Sequence, residues 1–395
     1  MSPVSLWESE RMTLAESIDL TLASLRAYGE RYRHWAVAYS GGKDSTALVT
    51  LLAHLIEEGD IPRPETLTVL YADTRLELPP LQASALRVLA EMAGRGYRSQ
   101  VVLPAMDDRF MVYLLGRGVP PPSNTFRWCT AQLKIEPMMA ALRGLRDATG
   151  EKILMLTGVR LGESAVRDAR ISLSCGRNGA ECGQGWFQTS TPEAVADTLA
   201  PLLHWRVCLV WSWLTYHAPA HGWDTRPIAE TYGYVDEAHE VSVRTGCVGC
   251  NLASRDTALE NLLRLPQWEY LSPLLRLRPL YAELKKARNR LRKAGDERRR
   301  DGSLVTNPMR MGPLTLGARR WGLSKVLDLQ AEVNAWAIAT ERPQVSLINE
   351  EEQARIEALI AARTWPQGWD GSEVRADVLL PEVIAEGIVQ PILWE

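Results

Sequence analysis

The chain has 395 residues, 46% of them hydrophobic and 24% charged, and a net charge of −3. That composition excludes a disordered chain and a globally basic nucleic-acid binder, and the length exceeds what one hydrophobic core usually organises. No basic start followed by an apolar run opens the sequence, and no stretch of about eighteen apolar residues runs without a charge, so a soluble cytoplasmic protein with no membrane contact is expected. Six cysteines are too few for a secreted disulfide scaffold, which leaves thiol chemistry or metal ligation.

Residues 1–34 read as one or two amphipathic helices. An apolar run from Trp35 to Tyr39 then meets SGGKDS and passes into the helical pattern TALVTLLAHLIEEG, which is strand, loop, helix. Further strand-like runs follow at TLTVLYAD, SQVVLPA and KILMLTGV, separated by the helical stretches LPPLQASALRVLAEMAG and IEPMMAALRGLRDAT. The alternation predicts an α/β fold, a parallel sheet with helices on both faces, whose ligand lies at the carboxyl ends of the strands. Residues 171–191 read as a glycine-rich loop carrying Cys175 and Cys182. LLHWRVCLVWSWLTYHA reads as an apolar helix with Cys208 in the core, residues 255 to about 340 as helical and basic, and the last 55 residues as a short helical appendage. The expected organisation is a domain over 1–254 and a helical, partly basic C-terminal region over 255–395.

Ser40-Gly41-Gly42-Lys43-Asp44-Ser45 is the strongest chemical signal. Two glycines let backbone N–H groups approach an anion, the following helix adds a favourable partial charge, and Lys43 with the two serines supplies further donors. The pattern is not GxxxxGK[ST]. It resembles instead the PP-loop of enzymes that split ATP into AMP and pyrophosphate. In that family the position of Asp44 helps to hold Mg²⁺ or the loop.

Three further elements resemble those of sulfonucleotide reductases. Tyr71-Ala72-Asp73-Thr74, running on through Glu77 to Pro79, matches the DTG-x-E-x-P element that flanks the nucleotide, with Arg75 in place of the glycine. Arg127-Trp128-Cys129-Thr130 follows, with Lys134 and Pro137 behind it. Gly158, Arg160, Glu163, Ser164 and Arg167 match G-x-R-x-x-ES-x-x-R. Guanidinium and ammonium groups of this kind suit phosphate or sulfate.

Cys247 and Cys250 form a CxxC pair, half of a ligand set; Cys175 and Cys182 can supply the other half, for a 4Fe-4S cluster or zinc. Cys129 has three readings: a competitor for the fourth ligand position, a small buried residue, or a nucleophile whose pKa is lowered by Arg127, Lys134 and Arg160. From Arg276 to Arg300 a dense run of cations can neutralise DNA phosphates; a solvated face or a protein-docking surface is the competing reading.

SGGKDS, YADT, FRWCTAQLKIEP, GVRLGES, HWRVCLVWSWL, RTGCVGCNLASRDTALE and GPLTLGARRWGLSKVLDLQ occur in the order found in DndC-like proteins of DNA phosphorothioation, and the resemblance spans about residues 35–335. It implies an adenine nucleotide alpha hydrolase-like PP-loop fold and an ATP pyrophosphatase that activates the DNA backbone for sulfur incorporation. It also implies a preference for the 4Fe-4S cluster over zinc, and as partners DNA, a cysteine desulfurase or other sulfur donor, and other phosphorothioation proteins. Lys43, Asp44, Cys129 and Arg160 are then the expected catalytic residues. Ser40, Gly41, Gly42, Lys43, Asp44, Ser45, Asp73, Arg127, Lys134, Gly158, Arg160, Glu163 and Arg167 are the expected nucleotide-binding set. A sulfonucleotide reductase, a tRNA thiolation enzyme and a noncatalytic nucleotide- or DNA-binding subunit are the competing functions.

Overall fold

The computed structural model describes residues 12–163, 165–174, 180–181, 185–188, 194–232, 246–253, 255–293, 310–378, 382–384 and 388–390. Helix α1 (Leu14–Ser24) opens on a capping box in which Thr13 and Glu16 satisfy each other's backbone N–H groups. Its buried face is made of Ser17, Thr21 and Ser24 rather than an apolar stripe. The indole N–H of Trp205 donates to the Thr21 hydroxyl and the Ser17 carbonyl, so small hydroxyls make room for a large ring and satisfy its donor.

Strand β1 (His34–Tyr39) leads into α2 (Lys43–Glu57), β2 (Thr66–Ala72), α3 (Pro79–Gly94), β3 (Arg98–Val102), α4 (Glu136–Thr149) and β4 (Ile153–Thr157). After it come β5 (Ala180–Glu181), β6 (Trp186–Gln188) and β7 (Ala196–Ala200), in one seven-stranded sheet of order β3-β2-β1-β4-β7-β6-β5. The pairings from β3 through β7 are parallel, and β6 and β5 continue antiparallel. Strand β1 is apolar and buried almost throughout, as a strand covered on both faces must be. Val37 and Val69 point into the main core with Leu48 and Leu52 of α2 and Val88 of α3. Ala36 and Leu70 point the other way, against Leu142 of α4.

Strands β6 and β7 depart from the reading of a plain loop followed by a helix. Strand β7 hides because it buries Asp197, which accepts from the Tyr32 hydroxyl at 2.5 Å and pairs with Lys152 at 3.0 Å. Cys175, Cys182 and Ser164 lie outside the described residues. The backbone of Arg167 lies on the Ala165–Ser174 helix, but its side chain is not described.

The C-terminal region is helical, as α5 (Leu277–Leu284), α6 (Leu316–Ala339) and α7 (Glu350–Ala361). Leu277, Val326 and Ile356 belong to the same buried cluster as the sheet residues Val37 and Val69. The last 55 residues are not only helical: β9 (Val374–Arg375) pairs antiparallel with β8 (Leu291–Arg292). The basic run is also not one helix, since α5 ends at Leu284 and the chain turns through Ala287–Asn289 into β8. Several of its cations are used internally: Arg276 on Glu332, Lys286 and Arg288 on Glu283, and Arg292 on the Val378 carbonyl. No helix among the described residues is long and apolar enough to cross a membrane.

Helix α7 docks through charge as well as packing. Arg355 grips Asp107 with two bonds of 2.5 and 2.7 Å, and the Arg355 fork holds the Asp107 carboxyl below the usual carboxylate range. A depressed native pKa contributes stability that is present above the unfolded value, about 3.9, and is lost as pH falls through the native one. Arg355→Ala is therefore expected to shrink the loss of thermal stability on acidification below about pH 4. Melting curves taken from pH 6 downward check this, and parallel curves for both proteins would refute it.

Candidate nucleotide cleft and thiol site

Strand β1 lies between β2 and β4, so the chain leaves β1 toward one side of the sheet and later returns to the other. The crevice between the loops after β1 and β4 is the switch point at which α/β sheets bind ligands. Ser40–Ser45 follow β1, Gly158–Glu163 follow β4, and a cleft of about 350 Å³ lies there, lined among others by Ser40, Lys43, Asp44, Gly158, Glu163 and Tyr232.

Gly41 has φ +73°, and a Cβ there would stand 2.9 Å from that of Ala85. Only glycine meets both conditions without displacement. A Cβ on Gly158 would stand 2.9 Å from the Asp44 carbonyl carbon and the Ser45 nitrogen, so the two loops touch backbone to backbone. Gly42 caps α2, whose positive end faces the cleft. The Ser45 hydroxyl accepts from the Ser40 N–H at 3.2 Å, which ties the turn across itself.

Lys43 is 4% exposed. Its ammonium stands 3.0 Å from Asp44 and 5.3 Å from the centroid of Tyr232, whose hydroxyl accepts the Lys43 backbone N–H at 3.3 Å. Arg160, also 4% exposed, donates from Nε to Asp44 at 2.5 Å and from Nη1 to the Trp205 carbonyl at 3.1 Å, with Glu163 3.8 Å from Nη2. Burial works against the Asp44 carboxylate, but Lys43 and Arg160 outweigh it and hold its pKa below the usual value. Lys43, Asp44 and Glu163 thus line the cleft, with Arg160 paired to Asp44 from behind. An incoming polyphosphate has to bring a cation of its own, and the oxygens of Asp44 and Glu163 are the donor type that suits Mg²⁺.

The segment after β2 is fixed by Asp73, which is buried and accepts from the Arg75 N–H at 2.8 Å and the Gln82 amide at 3.1 Å. Arg75 has φ +64°, the left-handed conformation that the glycine of the resembling element would adopt at little cost. An arginine is held there because its side chain reaches across to α7, where Glu352, 2% exposed, accepts from Arg75 at 3.3 Å and from Arg109 at 3.1 Å.

The thiols form a second centre. The Val248 N–H donates to the Leu76 carbonyl at 2.7 Å, and Asn251 donates to the Pro122 carbonyl at 3.0 Å, so the CxxC loop hangs between the segment after β2 and the segment before Cys129. The Thr74 hydroxyl is 3.8 Å from the Cys247 sulfur and donates to Glu77 at 2.7 Å. Burial pushes the Cys247 thiol up to about 12, with Glu77 adding to it. Burial raises Cys129 as well, with Cys250 adding. Burial opposes the Lys134 charge, but Cys247, Glu77, Cys129 and Cys250 outweigh it and raise its pKa. Cys129, Cys247, Cys250, Lys134 and Glu77 are therefore close neighbours.

This corrects two expectations about Cys129. Its pKa is raised, not lowered, and Arg160 is not its cation, being spent on Asp44 and Trp205. Exposed Arg127 bonds to Asn124. Lys134 alone of the three acts to lower the thiol. Among the described residues no three of His, Cys, Asp and Glu are arranged to hold a metal ion. Cys208 is half-buried rather than fully in the core. Sequence reasoning missed Tyr232 as the partner of Lys43, and Thr74 and Glu77 as neighbours of Cys247.

The fold is the PP-loop type, a mostly parallel sheet with helices and an added helical region, and the glycine turn lies at its switch point. Residues 34–220 match the phosphoadenosine phosphosulfate reductase domain. Among solved structures the chain is similar to phosphoadenylyl-sulfate reductase from Candida auris, at 12% identity over 53% of this chain and 88% of that one, with a TM-score of 0.33. It is similar to FMN adenylyltransferase from Candida glabrata, at 17% identity over 51% and 56%, TM-score 0.31. It is similar also to the U34-tRNA thiolase NcsA from Methanococcus maripaludis, at 14% identity over 69% and 79%, TM-score 0.33. No curated protein matches the chain.

Proposed function

We propose that this protein cleaves ATP to AMP and pyrophosphate and uses the adenylyl group to activate an oxygen of the DNA backbone for replacement by sulfur. The observation that carries the ATP step is the Ser40–Ser45 turn meeting Gly158 backbone to backbone, with Lys43 and Arg160 buried beside it. Such a turn offers amide hydrogens and two fixed cations to a phosphate tail.

A nonbridging phosphate oxygen attacks the α-phosphorus, an O–P bond forms, and the bond from the α-phosphorus to the oxygen bridging to the β-phosphate breaks, releasing pyrophosphate. Lys43 and Arg160 neutralise charge as it develops, and Asp44 and Glu163 are the residues that would hold a Mg²⁺ ion, which would supply further charge neutralisation at the phosphates. Asp73 fixes the segment after β2, from which Thr74 reaches Cys247. The outer sulfur of a persulfide, such as one carried by a cysteine desulfurase, then displaces AMP to give a phosphorus–sulfur–sulfur–cysteine adduct. A second thiol attacks the donor cysteine's sulfur, breaking the S–S bond so that the phosphorothioate leaves and the two cysteines form a disulfide.

The reading of a 4Fe-4S cluster on Cys175, Cys182, Cys247 and Cys250 depends on two residues outside the described ones. Among the described residues the thiols do not complete a metal site by themselves. The expected outcome is iron and acid-labile sulfide in anaerobically purified protein, both lost in Cys247→Ser. Stoichiometric zinc without iron would reject the cluster.

The test of the activity is incubation with ATP labelled at the α-phosphate, with and without DNA. Labelled AMP with pyrophosphate is the expected result. ADP with inorganic phosphate overturns it, and inert ATP with turnover of an adenylylated sulfate would move the protein to the sulfonucleotide reductases.

A further inference from the structure

A second cavity, of about 550 Å³, is lined among others by Tyr113, Phe126, Lys285, Arg290, Arg310 and Trp369. That volume is in the range of small-ligand sites, roughly 300–1,000 Å³. Its walls combine aromatic rings with cations, and both features are built rather than incidental.

Phe126 is 48% exposed. It sits on a tight turn closed by Ser123 and Phe126 exchanging backbone hydrogen bonds of 3.1 and 3.0 Å, which fixes an apolar ring at the rim. Trp369 lies over the Gly312 backbone so closely that a methyl there would overlap its ring. A flat face held against backbone and an exposed ring are the elements of a stacking site.

Arg290 is 8% exposed and is oriented by the Gly312 and Met311 carbonyls, at 2.5 and 3.0 Å. No described carboxylate pairs with Arg290 or Lys285. Burial, aided for Lys285 by the charge of Arg290, lowers both pKa values, that of Arg290 to about 10. Two neighbouring cations in a partly dry wall without an anion are costly, and a bound phosphate removes that cost.

The cavity also adjoins the thiol centre. The Pro120–Phe126 wall is tied to the thiol loop by Asn251 on Pro122 and to Trp128, next to Cys129, by the indole N–H on Pro120.

We propose that this cavity holds one nucleotide of the acceptor nucleic-acid strand, its base stacked on Phe126 and its phosphate on Arg290 and Lys285, so that the adjoining phosphodiester is presented toward the thiol centre. The inference deepens the proposed activity and rests on its nucleic-acid acceptor. A free nucleoside monophosphate carries the same chemistry, and the experiment separates the two sources.

Fluorescence anisotropy of a fluorescein-labelled single-stranded oligodeoxynucleotide reads the site, with Phe126→Ala and Lys285→Ala as variants and AMP as competitor. Each variant is expected to bind about 10-fold or more weakly, as loss of one stacked base or one phosphate contact requires. Lys285→Ala is expected to reduce the salt dependence by about one phosphate's worth as well. Wild-type affinity in both variants overturns the proposal, as does failure of the wild-type protein to bind the oligonucleotide at low salt. AMP competing as well as the oligonucleotide overturns the strand assignment. Binding of a fluorescent ATP analogue, measured on the same proteins, reports separately on the Ser40–Ser45 turn, so failure of the ATP reading and failure of this one are distinguishable. Unchanged melting temperatures of the variants establish that a weakened complex reflects the cavity and not the fold.

Discussion

Alanine at position 43 is expected to lower the rate of ATP cleavage by about 10²- to 10³-fold, the usual loss when one preorganised donor is removed from developing charge. The fold has no reason to fail with it, because Asp44 keeps its 2.5 Å bond to Arg160. What goes is a buried ammonium 3.0 Å from Asp44, the one lysine lining the cleft among the described residues. Lys43→Arg restores the charge but not the shape. A guanidinium has little space in a site where lysine is 4% exposed and Tyr232 stands beside it, so little rescue is expected. Product separation from α-labelled ATP is the readout, and a Lys43→Ala protein within threefold of wild type would refute the assignment.

Glu352→Ala is expected to destabilise the protein by about 3–5 kcal/mol, the cost of leaving buried charge uncompensated. Glu352 is the carboxylate on which Arg75 and Arg109 converge, and without it two guanidinium groups face each other with no anion between them. Denaturant titration at neutral pH measures the loss. Arg75 is itself held in a left-handed conformation by this contact, so part of the penalty belongs to its backbone. Arg75→Gly in the Glu352→Ala background should recover some stability, giving a double mutant less damaged than the sum of its parts. Additive losses would mean that Glu352 and the turn at Arg75 act independently.

Most of the parallel half of the sheet was readable because β1, β2 and β4 are short, largely apolar runs, each followed by a loop of small or polar residues, whereas β3 is half polar and was marked only by its closing valines. Strand β7 was not, since Asp197 interrupts it and is tolerated only through Tyr32 and Lys152, residues from distant parts of the chain. The phosphate turn was legible because Gly41, Lys43 and Asp44 are contiguous. Tyr232 was not, because a single tyrosine carries no local pattern and acquires meaning only when the Arg226–Tyr232 helix brings it over Lys43. The surroundings of Cys129 were misjudged for a related reason. The neighbouring arginines in the sequence suggested an acidic thiol, whereas burial and the proximity of Cys250 decide its chemistry, and neither is visible in one dimension.

Thr74 and Cys247 meet across 173 residues of chain. Contacts of such long range carry a large closure entropy and form late, after the local units that bring their ends together. The thiol centre therefore has no existence in a growing or half-folded chain. Iron, zinc or sulfur delivered before the sheet has closed would meet scattered cysteines. A thiol centre assembled from such distant segments can take up a ligand only once folding has brought them together.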